Sequence, residues 1–337
     1  MLVRVALCVF FRLGCMAAQN GSFRVQTKVV QVPVSVTARD GQSIDGLVAH
    51  DFRVLDDGAP QDITLDDFNT GLPRISLALA IQTSGISTPA LASIRRIGGM
   101  IQPLVTGSRG EVAVVTFDSQ IKWLQDFTAD DDKIQFAVKS LKPGSMGQAR
   151  MLDAIAEAAG HMQQRKGRKV LLLISESRDR GSETRFQQAV EAVARQGIQV
   201  FAAHYSAYAT GLMAKPKDLP ELPHPPDPDD PEDPPNPPPT VDFLAIFAET
   251  ARLAKTNAVQ ALTRVTGGSD YPFAKERGIE NAIEQLGTEV HSQYILSFPQ
   301  RSNAAGMHQI EVSLPNRGDL LIRARRTYWA DQSSDAQ

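Results

Sequence analysis

Cysteine is nearly missing from this 337-residue chain: Cys8 and Cys15 are the only two, both near the N-terminus. If that segment is removed, no disulfide can staple the fold and no thiol can be its chemistry. The six histidines (His50, His161, His204, His224, His291, His308) show no metal-ligand spacing of the HExxH kind. His161 reads as a helix-surface residue and His204 as the end of a strand. "TSGIS" at 83–87 lacks the Gly-Lys-Ser/Thr ending of a phosphate-binding loop, and no G-x-S-x-G elbow surrounds Ser84. No Lys/Arg run interleaves with aromatics, which argues against nucleic acid as a partner. Beyond the N-terminus no segment approaches the length of a membrane-spanning helix. There is no internal repeat.

What is present is ordinary for a globular chain: 42% hydrophobic and 22% charged residues, with net charge -3. The charge is unevenly spread. Residues 218–240 carry seven acids and no Lys or Arg, so the remainder stands at +4. The surrounding stretch, 214–240, holds twelve of the 21 prolines. It is expected to be a solvated, extended surface insertion; a ligand for a proline-recognition groove is the alternative reading.

The N-terminal "MLVRVALCVFFRLGCMAAQN" has Arg4 before an apolar run and small residues near Ala17 and Ala18. Residues 1–18 are therefore expected to be a signal peptide and the protein to be exported, periplasmic or secreted. Arg12 interrupts the apolar run, so a misplaced start or a short membrane anchor stays open. It also argues against a lipid-modified Cys15.

Residues 23–70 form an N-terminal β segment. In "VVQVPVSVTA" Val30, Val32, Val34 and Val36 share one face, and Asp57-Gly58 is a favoured hairpin turn. From residue 74 the pattern changes. "ISLALAIQ" (75–82) is a near-continuous apolar strand, the mark of a sheet covered on both faces. Helices are expected over "LASIRRIGGMIQPL", "DDKIQFAVKSL", "MLDAIAEAAGHMQQR", "RFQQAVEAVARQG", residues 241–268 and "GIENAIEQLGTEVH". They alternate with strands "EVAVVTF", "KVLLLIS" and "IQVFAAHYS". That order predicts an α/β domain over 74–290 with a doubly wound, mostly parallel sheet. Strands "SQYILSFP", "HQIEVSLP" and "LLIRARRTYW" make a C-terminal β segment, 291–330. The two β segments are expected to pair in one small flanking unit.

The strings "GLVAHDFRVLDDGAPQDI", "VVTFDSQIKWLQDFT", "RKVLLLISESRD", "VTGGSDYPF", "HSQYILSF", "HQIEVSL" and "IRARRTYW" run in order along the chain. With the order of elements, they resemble the von Willebrand factor type A domain, and more narrowly the VWFA-related Acidobacterial domain family of exported bacterial proteins. The resemblance implies a Rossmann-like sheet with a metal-ion-dependent adhesion site at the carboxyl ends of its strands. That site uses Asp-x-Ser-x-Ser after the first strand, a Thr from a second loop and an Asp from a third, around an oxygen-coordinated Mg²⁺.

Laid on this chain, the pattern is depleted. Gln82 stands for the leading Asp, Ser84 is kept, Ile86 replaces the second Ser, and Ser87 falls one residue late. Ala149 takes the Thr position, with Ser145 and Gln148 nearby, and Glu176 takes the Asp position. Losing a carboxylate and the in-register hydroxyls costs well over the ~1.4 kcal/mol that a tenfold loss of affinity represents. The expectation is a degenerate site in which Gln82, Ser84 and Glu176 form a hydrogen-bonded cluster. A rearranged Mg²⁺ site using Ser84, Ser87, Glu176 and Asp179 is the alternative. Asp118, Asp126 and Asp153 read as turn and helix-cap residues.

The resemblance thus implies a non-catalytic macromolecule-binding or adhesion module, with no small-molecule cofactor. Its partner would be a protein or cell-envelope component, met by the loops at 82–89, 118–121, 144–150 and 176–182. Arg150, Arg178 and Arg180 are candidates to receive acidic groups. A structural or assembly subunit of the envelope, and an enzyme using the same crevice, are the other readings.

Overall fold

Eight consecutive buried residues set the centre of the fold. The computed structural model describes residues 29–66, 74–84, 88–145, 147–176, 178–205, 257–273, 278–300 and 305–331. The expected signal segment, the 214–240 insertion, the first half of the 241–268 helix, Ile86 and Ser87 lie outside them.

The chain begins with β1 (Val29–Thr37), β2 (Arg53–Asp56), β3 (Ala59–Pro60) and β4 (Thr64–Leu65). It continues with β5 (Ile75–Gln82), α1 (Thr88–Ile94), α2 (Gly98–Ile101), β6 (Glu111–Phe117), β7 (Ile121–Thr128), α3 (Asp131–Lys139) and α4 (Met151–His161). Next come β8 (Arg168–Ser175), α5 (Phe186–Arg195), β9 (Gln199–Tyr205), α6 (257–266), β10 (Asp270–Phe273) and α7 (Gly278–Ser292). The last strands are β11 (Tyr294–Pro299), β12 (Gly306–Ser313), β13 (Leu321–Ala324) and β14 (Thr327–Ala330).

The main sheet has the order β10-β9-β8-β5-β6-β7, parallel except for β7, which pairs antiparallel with β6. All of β5 is buried. Its Leu77, Leu79 and Ile81 face a core closed by α1, α2, α3 and α7. Its Ala78 and Ala80 face a second core, closed by α4, α5 and α6. Small residues on that face let α4 approach the sheet closely. Helices on both faces are what parallel connections require, and they produce the near-continuous apolar strands.

Four details differ from the sequence expectation. The helix over 91–104 is broken at residues 95–97 and ends in a wide π-helical turn, Gln102–Thr106. Gly98 sits tightly against α3, where a Cβ would come within 3.1 Å of the Gln135 Cα, and Pro103 supplies no backbone donor to a continuous helix. Strand β10 is short and carries Pro272, which an edge strand tolerates. Strand β7 covers the other edge. "LLIRARRTYW" is two strands: β13 pairs with β1, then the chain crosses at Arg325-Arg326 so that β14 pairs with β12.

The flanking β unit is two four-stranded sheets, β13-β1-β11-β4 and β14-β12-β2-β3, built from the two ends of the described chain. Val30, Val32, Val34 and Val36 point into the core between them, with Phe52, Tyr294, Leu296, Phe298 and Tyr328. The β2–β3 turn lies at Asp57-Gly58, with φ of 47° and 80°. The other face of β1 is covered as well. Ser35 bonds Glu289 (3.1 Å) and Gln293 (2.9 Å), and Arg323 pairs with Glu289 (2.7 Å). Arg168 opens β8 and Gln199 opens β9, so the sandwich docks at the amino ends of the parallel strands. The carboxyl ends stay clear of it. Among the described residues no helix is long and apolar enough to cross a membrane.

Gly267 shows how close the docking is. Its φ is 76°, and a Cβ there would overlap the Arg325 amide and the Ala324 carbonyl carbon. Gly267→Ala should cost ~2–4 kcal/mol, read as a fall in the urea midpoint. A change within experimental error would show that the junction yields.

Candidate functional site

Strand β5 delivers Gln82, β6 is followed by Asp118, and β8 is followed by Glu176, all at one edge of the sheet. The three are buried. Backbone bonds hold the loops around them. Thr83 N–H donates to Phe117 O (3.0 Å), and Gly144 N–H donates to Thr83 O (2.6 Å). Ala149 and Arg180 exchange both amide-to-carbonyl bonds (2.9 Å each), joining the second and third loops. Asp118 finishes the frame: its carboxylate accepts from Gln120 N (2.8 Å) and Ser145 N (2.9 Å), and its carbonyl from Arg150 N (2.9 Å). Gly144 lies against that carboxylate, leaving no room for a Cβ.

At the centre is the Gln82 carboxamide. Its oxygen accepts the Glu176 N–H (3.0 Å). That bond fixes which way the amide faces, because an N–H can only meet the oxygen. The NH₂ then donates to Ser84 Oγ (2.7 Å) and to Glu176 Oε1 (3.2 Å). Arg180 stands 3.5 Å from the same Glu176 oxygen. Glu176 Oε2 is buried and has no partner among the described residues.

The remaining sequence-predicted residues are placed as follows. Ala149 is buried in the core and offers no side-chain oxygen. Asp179 turns to α4, where its Oδ1 accepts from Leu152 N (3.0 Å) and Ser182 Oγ (2.6 Å). It caps a helix whose own N-cap residue, Arg150, provides no side-chain cap. Arg150 binds Asp153 (2.7 Å) and Glu183 (3.2 Å). Arg178 is exposed. Ser145 Oγ bonds Ser119 Oγ (2.8 Å).

Asp118 is a turn residue as expected, but two of its companions are not placed as the sequence suggests. Asp126 lies inside β7. Asp153 sits in the first turn of α4, yet it serves a different loop, accepting from Thr184 N (2.8 Å), Glu183 N (3.1 Å) and Arg150 Nε (2.7 Å). Sequence spacing gave no sign of the Glu176–Arg180 pair or of the Asp179 cap. Away from this edge, His308 Nδ1 meets Asp57 Oδ2 (2.7 Å) and Tyr328 donates to Asp56 (2.9 Å), a cluster that anchors the β2–β3 turn to β12. His204 pairs with Asp270 across β9 and β10.

Strand order, the edge at the carboxyl ends and the loop frame are those of an open α/β sheet. A family model matches part of the chain. Residues 94–223 match the von Willebrand factor type A domain. The match begins beyond the Gln82–Ser84 turn. No curated protein matches the chain. Among solved structures it is similar to the vWF domain of the type V pili tip protein Mfa5 from Porphyromonas gingivalis, at 21% identity over 32% of this chain and 39% of that one, TM-score 0.28. It is also similar to an aerotolerance-related membrane protein from Bacteroides fragilis, at 15% identity over 64% and 99%, TM-score 0.41. A third is proximal thread matrix protein 1 from the mussel byssus, at 11% identity over 71% and 51%, TM-score 0.45. The chain spans well under half the length of the first of these.

At this edge Asp153 is held by three hydrogen bonds. Burial pushes its carboxyl upward, but the bonds from Thr184, Arg150 and Glu183 outweigh that and hold its pKa below 3.8. A depressed folded-state pKa gives stability that is full above the unfolded value and lost as pH falls through the folded one. Asp153→Asn should therefore cost ~1–3 kcal/mol at neutral pH, with the gap to wild type closing as pH drops below 3.8. A gap independent of pH in urea unfolding would contradict this.

Proposed function

We propose that this chain is an exported, non-catalytic binding module whose type A strand-end edge works without a metal ion. The observation that carries the reading is the Gln82 carboxamide. Its NH₂ already bonds Ser84 Oγ and Glu176 Oε1, two of the oxygens a type A cation would need.

The donor set does not fit Mg²⁺. A small hard cation needs near-octahedral oxygen and draws most of its affinity from carboxylates. Here Glu176 is the single acid kept at the motif positions, and Arg180 already balances its charge. Ala149 supplies no side-chain oxygen, and Asp179 is committed to α4. A rearranged Mg²⁺ site remains the second reading, favoured by one atom: the unpartnered Glu176 Oε2.

Binding at this edge then rests on direct contacts. Lys142, Ser145, Gln148 and Arg178 are exposed on the frame loops and offer donors to an acidic or hydroxyl-rich surface. Arg150 and Arg180, engaged internally, position the loops instead. The partner would be a protein or cell-envelope component. Catalysis is disfavoured by Ser84, whose hydroxyl receives a bond from an amide where a nucleophile would need a base. Export rests on the N-terminal segment, and the VWFA-related Acidobacterial family on the collinear strings. A purely structural envelope role would place the weight on the sandwich.

Thermal unfolding in EDTA and in millimolar Mg²⁺ or Mn²⁺ tests the reading, because a ligand held only by the folded state raises the midpoint. The midpoint should not move. The triple variant Gln82→Asp, Ile86→Ser, Ala149→Thr should gain a saturable rise. A saturable rise in the wild type, lost in Glu176→Ala, would overturn the metal-free reading.

A further inference from the structure

At the opposite edge of the sheet, two arginines are buried without an anion. Arg168, the first residue of β8, is 9% exposed; Arg325, in the crossover between β13 and β14, is 8% exposed. A cation withdrawn from water ordinarily meets a carboxylate, because neutral acceptors return only part of the lost hydration. Among the described residues neither arginine has an ion pair. Arg168 donates to Val290 O (2.6 Å), Gln199 Oε1 (3.3 Å) and Gln293 Oε1, and Arg325 donates to Gly197 O (2.7 Å). All these acceptors are neutral. The Nε–H of each guanidinium is buried with no partner.

The acid whose field reaches Arg168 is Glu289, and it is already taken. Arg323 pairs with it (2.7 Å), and Ser35, Ser269 and Tyr271 donate to it. Burial pulls both Arg168 and Arg325 down to about 10, with Arg325 adding its charge against Arg168. Both therefore stay cationic at neutral pH.

Arg168 and Arg325 line one cavity of about 400 Å³ between β1, β14 and the starts of β8 and β9. Lys169 lines it as well, as does Arg195, whose guanidinium lies 3.5 Å over the Trp329 ring. No acidic residue among those described lines it. Four cations and no anion make the cavity strongly positive.

We propose that this cavity binds an oxyanion group, a carboxylate or a phosphate, through the guanidinium groups of Arg168 and Arg325. The planar fork of arginine suits either group. Arg325 belongs to the β sandwich and Arg168 to the α/β sheet, so the ligand bridges the two. The site lies at the amino ends of the strands and is independent of the type A edge.

The test is titration of the full chain with inorganic phosphate and, separately, citrate. Binding is followed by calorimetry and by thermal unfolding, with chloride holding ionic strength constant. One of the two should bind saturably near one per chain, and which one binds tighter identifies the group. Arg325→Lys keeps the charge but removes the fork, and should weaken binding about tenfold. Lys169→Met leaves the buried pair untouched and should weaken it severalfold. Excluded-salt stabilisation raises the midpoint without saturating, and equally in all variants. That result, or no saturable binding of either anion by the wild type, would overturn the proposal.

Discussion

One carboxamide holds the strand-end edge together. Gln82 at the end of β5 accepts the Glu176 amide and returns its NH₂ to the Glu176 carboxylate and to Ser84. All three residues are buried. Without the carboxamide, a backbone N–H, a hydroxyl and a carboxylate oxygen would each lose a partner where water cannot replace it, at ~1–3 kcal/mol each. Any protein that ends parallel strands in a buried polar crevice must satisfy those groups. This chain does so with the Gln82 NH₂, a donor that gathers Ser84 Oγ and Glu176 Oε1; on the reading proposed above, it stands where a type A cation would.

The two edges of the sheet are built differently. The carboxyl ends are closed by short-range bonds among three loops. The amino ends carry the β sandwich, through Glu289, Gln293, Arg323 and Arg325, so the first and last described strands are fixed to the α/β domain at one place. Polar groups dominate that junction, whereas each layer's own core is apolar.

Much of this was legible in the residues. Seven apolar or small positions followed by Gln82 mark a central parallel strand, and valines two apart mark a strand with one core-facing side. Gln82, Ser84 and Glu176 could be placed because the resemblance aligns strand ends, which are adjacent in any parallel sheet. What escaped was decided by distant partners. Asp179 and Asp153 look like ordinary turn acids, and only the approach of the 178–184 loop to α4 gives them their roles. "LLIRARRTYW" reads as one strand because nothing local breaks it; the break comes from Arg325 reaching Gly197 and Arg326 N bonding Val265 O. Strand β10 was hidden by its length and by Pro272.

The central claim is that an amide stands where a cation would. It is tested most directly by growing crystals in millimolar Mn²⁺ and computing the anomalous difference map at the manganese edge. The account predicts no anomalous peak among Gln82, Ser84 and Glu176, with the Gln82 side chain bridging Glu176 and Ser84. A peak within bonding distance of Ser84 and Glu176, with the Gln82 amide turned away, would contradict it.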